Sequence, residues 1–172
     1  MNVFPTPKDP WNPGRPIHEL DQVLDTRVRQ WLNGKTLNLL LDYQIIKQHF
    51  FEHGIGAGSP SDFSYLITPA FKALEGTLIQ IADNLGFDIE KAQYRIGSVF
   101  NEERLEAFYE KVLYRLREIS EEQKLDIKQW LSNAQRLLYH MRHAPAHYMG
   151  EGKQNHLQAF ETGDSIRFTI NE

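Results

Sequence analysis

The sequence predicts an all-α protein: a bundle of about five helices, preceded by a Pro-rich arm and followed by a small β-hairpin. Three observations predict it. Apolar residues recur every three or four positions along most of the chain, the spacing of one helix face. Helix punctuation, namely Gly34, Gly86 and the capping-box pattern Ser120-Glu121-Glu122-Gln123, falls between those stretches. After Gly150 and Gly152 the period changes to one that suits strands. At 172 residues the chain fits one domain with a sizeable core.

Residues 4 to 16 hold five of the eight prolines: Pro5, Pro7, Pro10, Pro13 and Pro16. Proline fixes φ and removes a backbone donor, so residues 1–16 are read as an extended arm and 17–172 as a single helical domain. The arm either packs Trp11 against the body or reaches across to a second subunit.

The first helix is expected from His18 to Asn33, with Leu20, Leu24, Val28, Trp31 and Leu32 inward and Gly34 as its C-cap. A second, from Thr36 to His53, is apolar on more than one face through Leu37, Leu40, Leu41, Ile46, Phe50 and Phe51, which suits a central position. Gly54-Ile55-Gly56-Ala57-Gly58-Ser59 then breaks the chain. It follows a helical pattern and lacks the Gly-Lys-Ser/Thr of a phosphate loop, so it reads as a flexible connection. Pro69 suits the first turn of a helix that runs to Leu85 over Phe71, Leu74, Leu78 and Ile81. Asn101 begins a fourth, with Leu105, Phe108, Tyr109, Val112, Leu113 and Leu116 on its core side. The capping box opens the last long helix, which turns Leu125, Ile127, Trp130, Leu131, Ala134, Leu137, Leu138 and Met141 inward. Ala159-Phe160-Glu161, a Thr162-Gly163-Asp164 turn and Ser165 to Ile170 read as the hairpin, over about residues 156–171.

Composition excludes several classes. The chain has no cysteine, so disulfides and thiolate zinc sites are out, and a reducing cytoplasm fits. No apolar stretch reaches the roughly 18 residues of a membrane span, and Met1-Asn2-Val3-Phe4-Pro5 lacks the features of a signal peptide. A soluble cytoplasmic protein without a membrane partner is expected. The net charge of −4 argues against a protein that coats nucleic acid non-specifically. It leaves open an enzyme that grips one phosphate, which needs only a local positive site.

The densest polar chemistry lies in Tyr139-His140-Met141-Arg142-His143-Ala144-Pro145-Ala146-His147-Tyr148, within which Arg142 and His147 form R-x4-H. Five residues of continuous helix turn through about 500°, which would leave the two side chains about 140° apart. Pro145 removes one backbone donor and pushes Ala144 out of helical geometry, so a bend there lets both groups turn toward one pocket. The alternative is a helix end whose cationic groups offset the dipole.

R-x4-H at the end of a bundle helix resembles the signature of HEPN domains, many of which are metal-independent endoribonucleases. Phe71-Lys72-Ala73-Leu74-Glu75-Gly76, after Tyr65 and Pro69, is similar to the paired helix in the RNase LS-type toxins. The likeness spans about residues 36 to 150. His143 stands where the family has its usual polar residue after the motif arginine. The resemblance implies that Arg142 binds the scissile phosphate and that His147 acts as general base or acid around the ribose 2′-OH. It implies that Glu75 holds Arg142 in place, that Lys72 touches phosphate, and that His140 and His143 support substrate binding. Lys72 and Glu75 also read as an ordinary exposed i,i+3 ion pair. No cofactor is implied. The implied partners are RNA, a second copy of the chain and an inhibitory antitoxin, in a prokaryotic toxin–antitoxin or phage-defence setting.

Two other classes compete. His49 with His53, and His143 with His147, are i,i+4 pairs, and histidines so spaced in a bundle bind zinc, nickel or iron, as in DinB-like hydrolases. Against this, Pro145 spoils the second spacing and no H-E-x-x-H or E-x-x-H motif occurs in either segment. The remaining class is a non-catalytic HEPN-like binding module.

Overall fold

The computed structural model describes residues 24–53, 64–86, 102–138 and 156–172. They form six α-helices and one 3-10 turn, with no strand among them. The helices are α1 (Thr26–Trp31), α2 (Gly34–His53), α3 (Thr68–Asn84), α4 (Glu102–Leu116), α5 (Glu121–Arg136) and α6 (His156–Asn171); the 3-10 turn, Ser64–Ile67, leads into α3. The all-α bundle expected from the sequence is present. No described helix is long and apolar enough to cross a membrane.

Within the described residues the first expected helix covers only Thr26–Trp31 and does not run through Asp25. Asp25 has extended backbone geometry and its carboxylate accepts from Arg27 N at 2.8 Å, so α1 starts there with a side-chain cap. Leu32 is extended at the other end. Asn33 then caps α2: its Oδ1 accepts from Thr36 N at 2.8 Å. Gly34 therefore opens α2 instead of closing α1, a correction that comes from Asn33 competing successfully for the orphan amides. Gln80, on α3, straps this junction by accepting from Asn33 N at 2.9 Å and donating to the Trp31 carbonyl.

α2 and α3 form the centre of the bundle. Leu40 and Tyr43 from α2 and Ala70, Ala73, Leu74, Leu78 and Ala82 from α3 are all fully buried. Pro69 lies in the first turn of α3, where its missing N–H costs nothing. Gly86, at φ 77°, takes up the left-handed position just past the helix end. α4 and α5 pair beside this layer. Their link ends α4 with Arg117 at φ 31° and opens α5 with a complete capping box. Ser120 Oγ accepts from Gln123 N at 3.2 Å, and Gln123 Oε1 accepts from Ser120 N at 2.9 Å. Tyr109 Oη donates to the Lys124 carbonyl at 3.2 Å and Lys128 Nζ meets Glu106 at 3.0 Å across the pair. Leu125, expected inward, is 67% exposed on the outer face of α5. Leu131 and Ala134 take the core side of that helix, and Leu125 lies well round from them.

The C-terminal hairpin is overturned. Residues 156–171 form α6, which buries Ala159, Phe160, Ile166 and Ile170 against α2, α3, α5 and the 3-10 turn. The Thr-Gly-Asp sequence reads locally as a turn, and Ile, Phe and Thr favour strands. Tertiary packing overrides both preferences. A Cβ on Gly163 would come within 2.4 Å of the Tyr43 ring, so the glycine in mid-helix is what allows α6 to lie close against α2. Trp130 Nε1 donates to the Thr169 carbonyl at 2.7 Å and fixes the far end of α6 to α5.

Candidate functional site

The motif residues Arg142 and His147, with His140, His143 and the bend at Pro145, lie outside the described residues, as do the arm and the Gly54–Ser59 connection. What the structure describes is the ground on either side of the motif. Beyond α5 the described residues end at Leu137 and Leu138, which have π geometry and are 3% and 4% exposed, so the helix is anchored in the core up to that point. One turn earlier Gln135 is also buried, and its amide nitrogen has no hydrogen-bond acceptor among the described residues.

Lys72 and Glu75 stand one turn apart on α3. Lys72 is exposed and Glu75 half-buried, while Ala70, Phe71, Ala73 and Leu74 fill the core side of the same helix. The two thus share the non-core side, as i,i+3 spacing requires. Gly76, which ends the same segment, has a packing reason of its own. A Cβ there would come within 2.5 Å of Thr36 Oγ1, which is buried on α2. Among the described residues no three His, Asp or Glu side chains gather as a metal-ligand set. Of the histidine pair on α2, only His49 has a described side chain.

A second polar cluster was not visible in the sequence. Asp164, on α6, faces α2: Oδ2 is 2.5 Å from Lys47 Nζ, and Oδ1 is 3.6 Å from Arg167 Nη2. The Tyr43 hydroxyl, completely buried, lies 3.1 Å from Asp164 Oδ1 and 3.0 Å from the Phe160 carbonyl. Arg167 also donates toward Gln44 Oε1 at 3.4 Å. Tyr43 with Lys47, and Asp164 with Arg167, each sit at helical spacing, but the two pairs are more than a hundred residues apart in sequence. No local pattern joins them. A buried phenol is retained where partners satisfy it, and with the half-buried Asp164 this set clamps α6 to α2.

Burial, followed by the Asp164 charge and its hydrogen bond, raises the Tyr43 pKa well above the ordinary tyrosine value of 10. The sign follows from linkage. A hydroxyl whose folded pKa is raised contributes stability in full below the unfolded pKa, and loses it as pH climbs past that value. The wild-type protein should therefore lose stability progressively above about pH 10. Tyr43→Phe should show a shallower alkaline decline in urea titrations between pH 9 and 11, with lower stability at neutral pH. An equal decline in both proteins would assign the alkaline loss to other groups.

Comparison with known proteins finds no matching family model, no matching curated protein and no matching solved structure.

Proposed function

We propose that the chain is a metal-independent endoribonuclease of HEPN type, active as a homodimer on RNA in the cytoplasm and restrained by an antitoxin. The observation that carries this reading is the R-x4-H of Arg142 and His147, which follows in sequence a helix buried through Leu138. An all-helical body supports it, as does an α3 that keeps Lys72 and Glu75 on its non-core side. Arg142 holds the phosphate and offsets the charge that builds up in the transition state. His147 takes the proton from the 2′-OH, or returns one to the departing 5′-oxygen. In-line attack needs a base on one side of phosphorus and an acid on the other. Two chains related by a twofold axis supply two such histidines.

The test is incubation of purified protein with RNA in EDTA. Cleavage should persist, leave 2′,3′-cyclic phosphate ends, and stop when the attacking 2′-OH is replaced by hydrogen. Activity that EDTA abolishes and zinc restores would transfer the assignment to the histidine-metal reading. RNA binding without cleavage would leave the binding module.

A further inference from the structure

An open apolar groove of about 760 Å³ runs between α1, α3, α4, α5 and the end of α6. Trp31, Leu116, Ile127 and Trp130 form much of its wall. Trp31 and Leu116 are 41% and 39% exposed, large apolar side chains left open to solvent along one groove. Trp130 is held in position by its bond to the Thr169 carbonyl, so its ring presents a fixed wall. Among the described residues the charged groups lining the groove are Asp126 and Glu172, both acidic.

We infer that this groove is the seat of the chain's own Pro-rich arm, residues 4–16, bound in cis. Three observations select that occupant. The first is where the arm joins the body. Leu24 is 4% exposed in the core, Asp25 N donates to Asn171 Oδ1 at 2.6 Å, and Val28, Trp31, Ile170 and Glu172 line the groove close by in the chain. The eight residue steps from Pro16 to Leu24 reach at most about 26–29 Å when extended, enough to lay the arm along a groove that begins at its own root. The second is chemistry. Proline-rich segments dock on aromatic-walled grooves because their extended form is preset and loses little entropy on binding. Here the walls are indoles, and the arm brings Trp11 between Pro10 and Pro13. The third is charge. Residues 4–16 carry Lys8 and Arg15 against a single Asp9, opposite a groove whose charges are negative. Tethering in cis raises the effective concentration, so weak contacts suffice.

The absence of cysteine among the 172 residues makes the test direct in the intact 172-residue protein. Thr6→Cys or Asn12→Cys in the arm is combined with Gln129→Cys or Asn133→Cys in the groove. The control pairs each arm position with Glu110→Cys, about 200° round α4 from the groove residue Val112. Under mild oxidation at least one arm–groove pair should form an intramolecular disulfide more than 10-fold faster than its control. Adding Trp11→Ala should remove most of that advantage. In the unmodified protein, a zero-length carbodiimide reagent should join Lys8 to Asp126 or Glu172 within the monomer fraction. This second readout stands even if a cysteine variant folds poorly. Equal rates for groove and control pairs, together with no Lys8 cross-link, would overturn the proposal. Cross-links found only between two chains would overturn it in favour of an exchanged arm.

Discussion

Replacing His147 with alanine should lower RNA cleavage by about 10²- to 10⁴-fold, the range that a positioned general acid or base contributes. Arg142→Ala should cost about 10²- to 10³-fold through loss of charge stabilisation at phosphorus. Neither change should alter the melting transition or the helical content, because the folded core closes through Leu40, Tyr43, Leu74 and Ile166, outside the motif. His140→Gln should cost less than His147→Ala, since its role is to support binding. Steady-state cleavage of a fluorescent oligoribonucleotide, with thermal melts on the same preparations, separates the two effects. If His147→Ala cuts at the wild-type rate, the catalytic assignment is lost. If it merely unfolds, His147 is a structural residue.

The largest effect on stability should come from Gly163→Ala. In an exposed helix interior this change gains up to about 1 kcal/mol from propensity. Here the new methyl would lie 2.4 Å from two ring carbons of Tyr43 and from its hydroxyl oxygen, and that side chain is wholly buried. Overpacking of this kind costs about 1–3 kcal/mol and sometimes more. The clash involves ring atoms that cannot fold away, so we expect the upper end, about 3 kcal/mol. At about 2–4 °C per kcal/mol for a chain of this length, the melting temperature should fall by roughly 6–12 °C. Tyr43→Leu should recover part of the loss in the double variant, since it removes the atoms in conflict. A Gly163→Ala protein that melts at or above wild type would mean that α6 does not pack against α2 through this glycine.

These two residues also mark what could be read from the chain alone. α2, α3, α4 and α5 announce themselves because their apolar residues keep helical spacing, and Pro69, Gly86 and Ser120 mark three of their ends. α6 does not, because the two signals used there are local while the cause is distant. Gly163 reads as a turn until Tyr43 is known to lie against it, 120 residues earlier. The break at Asp25 was hidden for a related reason, since a single side-chain cap outweighs an apolar repeat that continues through it. In the candidate site the sequence supplies identity and spacing for Arg142, His147, Lys72 and Glu75. The structure adds that Lys72 is exposed and Glu75 half-buried on the non-core side of α3, and that the helix before the motif is anchored. The Asp164 clamp was invisible because its two halves meet only after the chain has folded back on itself.

That clamp has a consequence for how the protein is made. Tyr43 emerges from the ribosome long before Asp164, its partner 121 residues later. At about 5–20 residues per second the wait is roughly 6–24 s. During it α2 and α3 have each other, but the surface that α6 will cover, including Tyr43, is open. Final closure awaits a contact of large sequence separation, the kind that slows folding. The nascent chain is therefore most exposed to chaperones and proteases just before α6 arrives, and a chain cut short near residue 155 would carry the R-x4-H motif but lack the helix that covers Tyr43.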